Sequence, residues 1–307
     1  SDVFFQSLDI KVPDYNLKVG SGSHSEMTAQ IMMKLEKVVL AEKPDIILVF
    51  GDTNTTLAGA IVCSKLKIPV AHIEAGIRMK PKDMPEEINR VLVDHISSYC
   101  FCPSSLAVKN LNNEGINERV NFVGDIMYDL FLQMQPKFTF DKLQELYLKP
   151  NNYIVFTLHR DYNVDKPEKL EVILKEIDKI ALEIPLVFPV HPRTRKAIRR
   201  FSLTNLLNNC ILAEPMDYLS LMGLVSNCWK VITDSGGLQK ESYFAGKSAV
   251  VLMPDTGWQE LIDKQINILA GANELYEKTF NRMNCFSIPS IYGDGDAGQK
   301  IVKEIIK

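Results

Sequence analysis

The feature that most constrains this chain is a repeated pairing of a short apolar run with a helical pattern. Runs such as "PDIILVF" (44–50) and "YIVFTL" (153–158) are almost continuously apolar, and each precedes a polar loop and then a helix. This rhythm is typical of parallel sheets that helices cover on both faces. The sequence therefore predicts an α/β fold, with strands at residues 44–50, 68–73, 98–102, 119–124, 153–158, 185–190, 210–213, 229–233 and 248–252.

The rhythm stops at the polar stretch 135–152 and then restarts, which predicts two such units. Ligands in this architecture bind beyond the carboxyl ends of the strands. The residues that directly follow each strand are therefore the first candidates for function.

Composition narrows the class of protein. The chain has 307 residues and a net charge of -3, so no strongly basic face is implied, which argues against nucleic-acid binding. No apolar run approaches the ~18 residues of a membrane span, and no secretory signal precedes the first strand, so we expect a soluble cytoplasmic protein. The six cysteines form no CxxC pair, which favours buried free thiols over a zinc site or disulfides.

Polar and charged residues follow five of the predicted strands. One carboxylate in such a place is readily explained as the N-cap of the next helix. Five polar strand ends are harder to explain in that way, and together they suggest a polar cleft between two sheets. The residues concerned are Asp52, Glu74, His159, Arg160, His191, Arg193, Arg195, Asp234 and Ser235.

The segment "MPEEINR" (84–90) reads as the start of a helix, with proline near its first turn. Glu86 and Arg90 are four residues apart and fall on one helix face. From spacing alone, an exposed ion pair explains these two residues better than a functional role does.

The segment "DSGGLQKE" (234–241) is a candidate phosphate site. Gly236 and Gly237 allow positive φ and a close approach of the backbone to a ligand, and the following helix offers unpaired N–H groups to an anion. A tight turn with a serine cap is the structural alternative. Neither GxGxxG nor GxxxxGK[ST] is present, which argues against NAD binding and against P-loop ATP hydrolysis.

Eight segments, in order and over nearly the whole chain, closely resemble the non-hydrolysing UDP-N-acetylglucosamine 2-epimerases. The resemblance implies a GT-B fold: two Rossmann-like domains with parallel sheets and the nucleotide sugar in the interdomain cleft. It divides the chain into 1–145 and 146–307, with the last helix as a candidate to pack back on the first domain. The segments are "GDTNTTLAGA", "AHIEAGIR", "MPEEINRVLVDHIS", "VGDIMYD", "TLHRDYNVD", "PVHPRTR", "TDSGGLQKES" and "YGDG".

The resemblance also implies roles for individual residues. The carboxylates would act as acids and bases or contact the sugar, the Ser-Gly-Gly turn would bind the diphosphate, and Glu241 would bind the ribose. The implied catalytic residues are Asp52, Glu74, Glu86, Arg90 and His159. The implied UDP-binding residues are His159, Ser235, Gly236, Gly237 and Glu241, with Arg160 and His191 as candidates for second-site or phosphate contacts.

The implied reaction removes the proton from C2 of the sugar while UDP leaves C1, which gives a glycal. UDP then adds back as a proton arrives on the opposite face of C2. Such a reaction needs general acids and bases near C2 and stabilisation of the leaving diphosphate, but no metal or redox cofactor. The implied partners are a UDP-sugar and UDP, in a homodimer that serves cell-surface polysaccharide synthesis.

The chain departs from the family pattern at three places. The family's first strand and its Gly-Thr-Arg-Pro-Glu loop are not matched; because that strand is central in the order 3-2-1-4-5-6, we expect two sheet edges facing a gap. Asp161-Tyr162 replaces Ala-Glu or Arg-Glu in a loop near which some bacterial members bind an activating second UDP-sugar. Gly257-Trp258 stands within the family's Thr-Glu-Arg-Pro-Glu segment, nearer to relatives that act on UDP-2,3-diacetamido-2,3-dideoxyglucuronate.

Several alternatives therefore stay open beside epimerisation of UDP-N-acetylglucosamine. The chain could epimerise the diacetamido-glucuronate sugar, or hydrolyse its substrate to free N-acetylmannosamine and UDP. A GT-B glycosyltransferase shares the fold, although the paired "HIEAG" and "MPEEINR" argue against it. A UDP-sugar-binding module without catalysis is the alternative from a different class.

Overall fold

The computed structural model describes residues 11–281 and 290–307. These residues form two compact units: 11–130 with 290–307, called the N-terminal unit, and 131–281, called the C-terminal unit. The domain boundary expected between residues 145 and 146 stays a prediction. One of the six cysteines that were expected to be free thiols, Cys285, lies outside the described residues. Among those described, no helix combines the length and the apolar character that crossing a bilayer requires.

Strands and helices alternate along the chain, which confirms the α/β class, and every predicted strand overlaps one in the structure. The strands are β1 (Ile47–Phe50), β2 (Val70–Ile73), β3 (Tyr99–Cys102), β4 (Val120–Phe122), β5 (Ile154–Thr157), β6 (Leu186–Pro189), β7 (Ile211–Ala213), β8 (Lys230–Thr233), β9 (Ala249–Val251) and β10 (Ile268–Leu269). The helices are α1 (His24–Glu42), α2 (Asn54–Lys65), α3 (Pro85–Ile96), α4 (Ser105–Asn113), α5 (Ile126–Met134), α6 (Asp141–Glu145), α7 (Asp161–Val164), α8 (Pro167–Glu183), α9 (Pro192–Arg200), α10 (Tyr218–Asn227), α11 (Gly236–Phe244), α12 (Gln259–Asp263), α13 (Leu275–Phe280) and α14 (Ala297–Ile305).

The N-terminal unit contains one parallel sheet of four strands, in the order β1-β2-β3-β4. Ile47 of β1 lies beside Val70 of β2, which sets the register of the first pair. Among the described residues β1 is an edge strand, and its Phe50 side chain is 52% exposed. Residues 11–23 add no strand. The described residues show one of the two expected edges, at β1. The second edge, expected to face it across a gap, lies outside the described residues and stays a prediction.

Helices pack on both faces of this sheet. Because side chains alternate along a strand, each strand contributes to a core on either side. On one face α14 packs through Ile301 against Ile73 and Phe101. On the other face, helices α1, α2 and α3 meet the sheet in a cluster formed by Val39, Val49, Ala60, Cys63, Val70 and Val93.

The C-terminal unit contains six parallel strands in the order β10-β9-β8-β5-β6-β7. Counted along this unit and read in reverse, the order is 3-2-1-4-5-6, that of a doubly wound Rossmann sheet. Ile154, Phe156 and Ile232 in its central strands have no exposed surface, as expected for a sheet covered on both faces. The winding direction reverses between β5 and β8, so the loops after these two strands border the crevice where such sheets bind ligands.

Strand β10 was missed by the sequence analysis. It pairs only Ile268 and Leu269 with β9. Two residues are too few to form a recognisable apolar run, so no period could reveal this strand.

Candidate functional site

In the C-terminal unit, the buried carboxylate of Asp234 lies where β5 and β8 end. It accepts hydrogen bonds from the backbone N–H groups of His159, at 3.1 Å, and Arg160, at 2.8 Å, and from Nδ2 of Asn163, at 3.1 Å. Burial raises the pKa of Asp234, but the bonds from His159, Arg160 and Asn163 outweigh burial and leave the pKa below its ordinary value. An ionised carboxylate therefore ties the loop after β5 to the end of β8.

The Ser-Gly-Gly turn follows Asp234 and opens α11. Ser235 is the N-cap, and its Oγ accepts from the N–H of Leu238 at 3.3 Å. Gly236 and Gly237 are the first helical residues, and neither has positive φ. The expectation of positive φ here is therefore wrong. What the two glycines provide is room for close approach to the N–H groups of the first helical turn.

The guanidinium of Arg160 faces this turn. A Cβ placed on Gly236 would lie 3.8 Å from Nη2 of Arg160. Nε of the same side chain is 3.3 Å from the backbone oxygen of Asp234, to which it donates. Together, the helix N-terminus and this cation form a site suited to an anion.

The loop after β9 packs on the back of the turn. Nε1 of Trp258 donates to the backbone oxygen of Gly236 at 2.9 Å. The ammonium of Lys240, on the second turn of α11, lies 3.9 Å from the centroid of the indole ring. Oγ1 of Thr256 adds a bond to Oε1 of Gln239 at 2.7 Å. The Gly-Trp departure from the family pattern therefore lies against the phosphate candidate.

Two imidazoles lie near Asp234. Nδ1 of His159 is 3.1 Å from the Asp234 carboxylate, and the ring centroid of His191 is 5.7 Å from that of His159. Burial, with the nearby His159 and Arg193, lowers the pKa of His191, so its ring is neutral near pH 7. Its Nδ1 accordingly accepts from the N–H of Arg193, at 3.2 Å, as the cap of α9.

The remaining candidates of the C-terminal unit have other neighbours. Glu241 lies near Tyr218, whose pKa is raised by burial and then by this glutamate. Arg193 pairs with Asp165 at 2.6 Å, and Arg195 pairs with Glu214 at 2.8 Å. These two arginines are therefore engaged in ion pairs of their own.

In the N-terminal unit, Arg90 of α3 connects this helix to the loop after β1. Only 5% of Arg90 is exposed, and its guanidinium donates to the carboxylates of Asp52 and Glu87. The neighbouring Asn89 donates from Nδ2 to the backbone oxygen of Asp52 at 2.8 Å. Asp52 is thus fixed through both its carboxylate and its backbone.

Glu86 occupies the first turn of α3, one residue after Pro85, and is partly exposed. The structure does not support its explanation as the exposed ion-pair partner of Arg90, because Arg90 is buried and pairs with Asp52 and Glu87. The residue that the helical spacing offered as a partner is therefore the wrong one, and the adjacent Glu87 takes its place.

Glu74 directly follows β2 and has a φ of 75°, in the left-handed region that glutamate seldom adopts. A Cβ placed on Gly51 would lie 3.3 Å from Oε2 of Glu74. The Glu74 carboxylate therefore approaches the residue before Asp52, and the loops after β1 and β2 bring two carboxylates to one edge of the sheet. Strained backbone of this kind clusters at functional sites.

Comparison with known proteins identifies the family. The family model described as UDP-N-acetylglucosamine 2-epimerase matches residues 1–306 of this chain. The chain belongs to the UDP-N-acetylglucosamine 2-epimerase family. A Methanococcus maripaludis protein described as a UDP-N-acetylglucosamine 2-epimerase homolog is 43% identical, with 98% of this chain and 86% of the relative aligned.

Solved and curated relatives extend this result within the epimerase family. The crystal structure of Methanocaldococcus jannaschii UDP-GlcNAc 2-epimerase, in complex with UDP-GlcNAc and UDP, matches with a TM-score of 0.87 at 38% identity, over 99% of this chain and 87% of that one. The predicted GT-B fold is thereby confirmed. The UDP-2,3-diacetamido-2,3-dideoxy-D-glucuronate 2-epimerase of Pseudomonas aeruginosa is 39% identical over 100% of this chain and 87% of its own length.

Sequence reasoning missed several residues at the candidate sites of the two units. Glu87 and Asn89 were overlooked because a helical period alone cannot tell which of two adjacent glutamates turns inward. Asn163 was overlooked because its partner, Asp234, lies on a distant strand. The contact of Trp258 with Gly236 likewise joins segments 22 residues apart, at the end of a loop with no regular period.

We expect Asp234→Asn to destabilise the protein, because an amide cannot accept from all the donors that meet there. Loss of a hydrogen bond to a charged group costs about 1.5–3 kcal/mol. The folded pKa of Asp234 is lowered, so its stabilising effect is present above the unfolded value, here 3.8, and disappears as the pH falls through the folded pKa. Urea unfolding should therefore show a larger difference between wild type and variant near pH 7 than at about pH 3.

Asp141→Asn, in the short helix α6, is the matched control and should leave the unfolding free energy nearly unchanged at both pH values. A difference for Asp234→Asn that is the same at both pH values would contradict the ionised, hydrogen-bonded state of this carboxylate.

Proposed function

We propose that this protein is a non-hydrolysing UDP-N-acetylglucosamine 2-epimerase that interconverts UDP-GlcNAc and UDP-ManNAc. The observation that carries the proposal is the pair of strand-end loops in which Arg90 binds Asp52 and the Glu74 carboxylate approaches Gly51, the residue before Asp52. This constellation occurs in a chain whose family is that of the epimerases. We further propose that the product serves cell-surface polysaccharide synthesis and that the enzyme works in the cytoplasm, a compartment that suits its free cysteines.

The three carboxylates Asp52, Glu74 and Glu86 are proposed to exchange protons at C2. Removal of the C2 proton and departure of UDP from C1 give the glycal. UDP then adds back to C1 on the face that it left, while a proton reaches C2 from the opposite face. Two chemically different tasks are needed, a base on one face and an acid on the other. Arg90 holds the carboxylate of Asp52, and the unusual φ of Glu74 sets the direction of its side chain. These two observations support a separate, defined position for each group.

The C-terminal unit is proposed to bind the UDP moiety. The N–H groups at the start of α11 and the guanidinium of Arg160 would stabilise the diphosphate, most strongly when it leaves as an anion. His159, fixed by Asp234, would contact the same group, and Glu241 would contact the ribose. His191 is proposed as a further phosphate contact, because its ring centroid lies 5.7 Å from that of His159.

A second candidate substrate is UDP-2,3-diacetamido-2,3-dideoxyglucuronate. The observation that favours it is the Gly257-Trp258 segment, which packs on the turn at Gly236, together with the 39% identity to the Pseudomonas aeruginosa enzyme. Proton NMR of turnover mixtures with each UDP-sugar would decide the question. A new UDP-linked sugar with inverted C2 identifies the substrate, free sugar with UDP indicates a hydrolase, and binding without conversion of either sugar indicates a binding module.

Glu74→Gln and Glu86→Gln should each spare UDP binding and lower the rate of epimerisation. A glutamine keeps the shape of the side chain but cannot transfer a proton, and a general acid or base contributes about 10²–10⁴-fold to rate. Turnover in D₂O adds an independent test, because a C2 deprotonation must introduce deuterium at C2. Wild-type turnover in both variants, or product that retains its C2 proton, would rule out the proposed role.

Ser235→Ala and Gly236→Val should both weaken UDP binding, with valine the more severe because its side chain blocks the approach to the N–H groups. Losing one hydrogen bond to a charged group costs about 1.5–3 kcal/mol, roughly ten- to a hundred-fold in affinity. Calorimetry measures the effect. Ser104→Ala removes the equivalent cap of α4, where Oγ accepts from Ala107, and should leave UDP affinity unchanged. Unchanged affinity in both turn variants would remove the turn from the site.

The protein is proposed to be a homodimer that pairs through α3. This helix exposes three apolar side chains four residues apart: Ile88 at 45%, Leu92 at 45% and Ile96 at 37%. A two-fold axis would bring this stripe against its own copy. Leu92→Glu should shift the mass measured by light scattering from dimer to monomer, whereas Leu182→Glu, on the exposed side of α8, should not. A monomeric wild-type protein, or a Leu92→Glu dimer, would contradict this interface.

A further inference from the structure

The side chain of His72 forms a buried link behind the two strand-end loops of the N-terminal unit. It lies on β2 and has no exposed surface. Its Nε2 is 2.8 Å from the backbone oxygen of Gly51, and its Nδ1 is 2.6 Å from Oδ1 of Asp94, on α3. Both ring nitrogens therefore have partners, and these partners belong to two different segments of the chain.

Asp94 is equally buried and has further donors on its second oxygen. Oδ2 accepts from the N–H of Gly76 at 3.2 Å and from Nη1 of Arg78 at 2.7 Å. Burial raises the pKa of Asp94, but His72 and Arg78 outweigh burial, so the pKa lies below its ordinary value. Asp94 is thus an ionised acceptor toward all three donors.

The hydrogen-bond partners of the ring are both groups that accept. A backbone carbonyl can only accept, so Nε2 of His72 donates to Gly51. An ionised carboxylate can also only accept, so Nδ1 donates to Asp94. Both ring nitrogens of His72 thus face acceptors, and the ring connects the two segments.

The segments on either side of this ring carry the carboxylates proposed for catalysis. Gly51, which accepts from Nε2, immediately precedes Asp52 and itself has a φ of 63°. On the other side, Asp94 binds Gly76, two residues after the strained Glu74. The bond between Asn110 Nδ2 and the backbone oxygen of Gly76, at 2.9 Å, restrains the same loop from a third direction.

Gly76 shows how little freedom this loop has. Its φ is 82°, and a Cβ there would lie 2.4 Å from the backbone oxygen of Ala107. The chain after Glu74 therefore runs against α4 with no room for a side chain. A displacement of Asp94 would therefore act directly on Gly76, two residues after Glu74.

We propose that His72 is a positioning residue, whose doubly donating imidazolium sets the relative placement of Asp52 and Glu74 by joining Gly51 to Asp94. The proposal rests on the proposed function only for its effect on catalysis. The hydrogen bonds of the His72 ring go to Asp94 and to the backbone oxygen of Gly51, and no proton transfer with the substrate is proposed for it. Its contribution is geometric, and misplacement of a reacting group by about 1 Å can cost around 10²-fold in rate.

The competing explanation is a core histidine that stabilises the fold and nothing more. The two explanations differ in what a folded variant does. A stabilising residue lowers the fraction of folded enzyme and therefore lowers UDP-binding capacity and turnover together. A positioning residue lowers kcat in enzyme that is folded and binds UDP normally.

Two substitutions separate the two bonds of the ring. In His72→Asn the amide nitrogen can replace Nδ1 toward Asp94, and the bond to Gly51 is lost. In His72→Gln the amide nitrogen can replace Nε2 toward Gly51, and the bond to Asp94 is lost. The matched control is His95→Asn, which changes an exposed histidine of α3 whose Nδ1 bonds to the backbone oxygen of Val91.

The experiment uses the full chain and measures kcat and KM for UDP-GlcNAc, the calorimetric UDP affinity and the number of UDP sites per chain. We expect kcat to fall about 10- to 100-fold in both His72 variants, with UDP affinity and stoichiometry unchanged and His95→Asn like wild type. Wild-type kcat in both variants would overturn the proposal. So would a loss of turnover that matches a loss of UDP sites, since that is the signature of unfolding alone.

A measurement without turnover separates this proposal from the proposed function. Nitrogen NMR of ¹⁵N-histidine-labelled wild-type protein, with His72 assigned by comparison with His72→Gln, should show both ring nitrogens protonated near neutral pH. One unprotonated nitrogen in wild type would overturn the imidazolium link. A wild-type protein that converts no UDP-sugar but has both nitrogens protonated would refute the proposed epimerase, while the link itself would stand.

Discussion

The buried carboxylate of Asp234 is the interaction on which the C-terminal unit depends. The loops at the carboxyl end of a doubly wound sheet are close together, but no regular hydrogen-bond pattern fixes their arrangement. Asp234 fixes it, because an ionised carboxylate that is removed from water must be surrounded by hydrogen-bond donors. Two backbone N–H groups, one amide and one imidazole meet it, and this fixes the loop after β5 relative to the turn after β8. The N–H groups at the start of α11 are left available to bind an anion.

In the N-terminal unit, the loops after the strands are held by buried ion pairs. There, arginines bind carboxylates: Arg90 binds Asp52 and Glu87, and Arg78 binds Asp94. Buried ion pairs of this kind contribute more to a defined geometry than to stability. A carboxylate proposed to take a proton from one particular carbon atom needs a defined position more than it needs a large free energy of folding. The N-terminal unit therefore presents acidic groups at the carboxyl ends of its strands, and the C-terminal unit presents a candidate anion site at the ends of its own.

The sequence was sufficient for the fold and for the types of residue at the site, because both follow from local patterns. Apolar runs located nine strands, and the residues after them contained Asp52, Glu74 and His159. What the sequence could not supply was pairing. Helical spacing predicted an ion pair between Arg90 and Glu86, but in the structure the buried Arg90 pairs with Glu87 and Asp52. Likewise, the glycines at 236 and 237 suggested positive φ, although a capped helix begins there without it. Choices between adjacent residues depend on tertiary packing, which no local period encodes.

Strand β1 has a practical consequence for handling the protein. Among the described residues it pairs only with β2, so its other side presents N–H and C=O groups in the extended arrangement that recruits further strands. Phe50 and Leu48 lie beside this edge with 52% and 38% of their surfaces exposed. Apolar edges of this type are frequent starting points for aggregation. Within the described part of the chain, this edge is therefore one at which a further strand would pair, and a lysine in place of Phe50 is the substitution that natural edge strands would suggest.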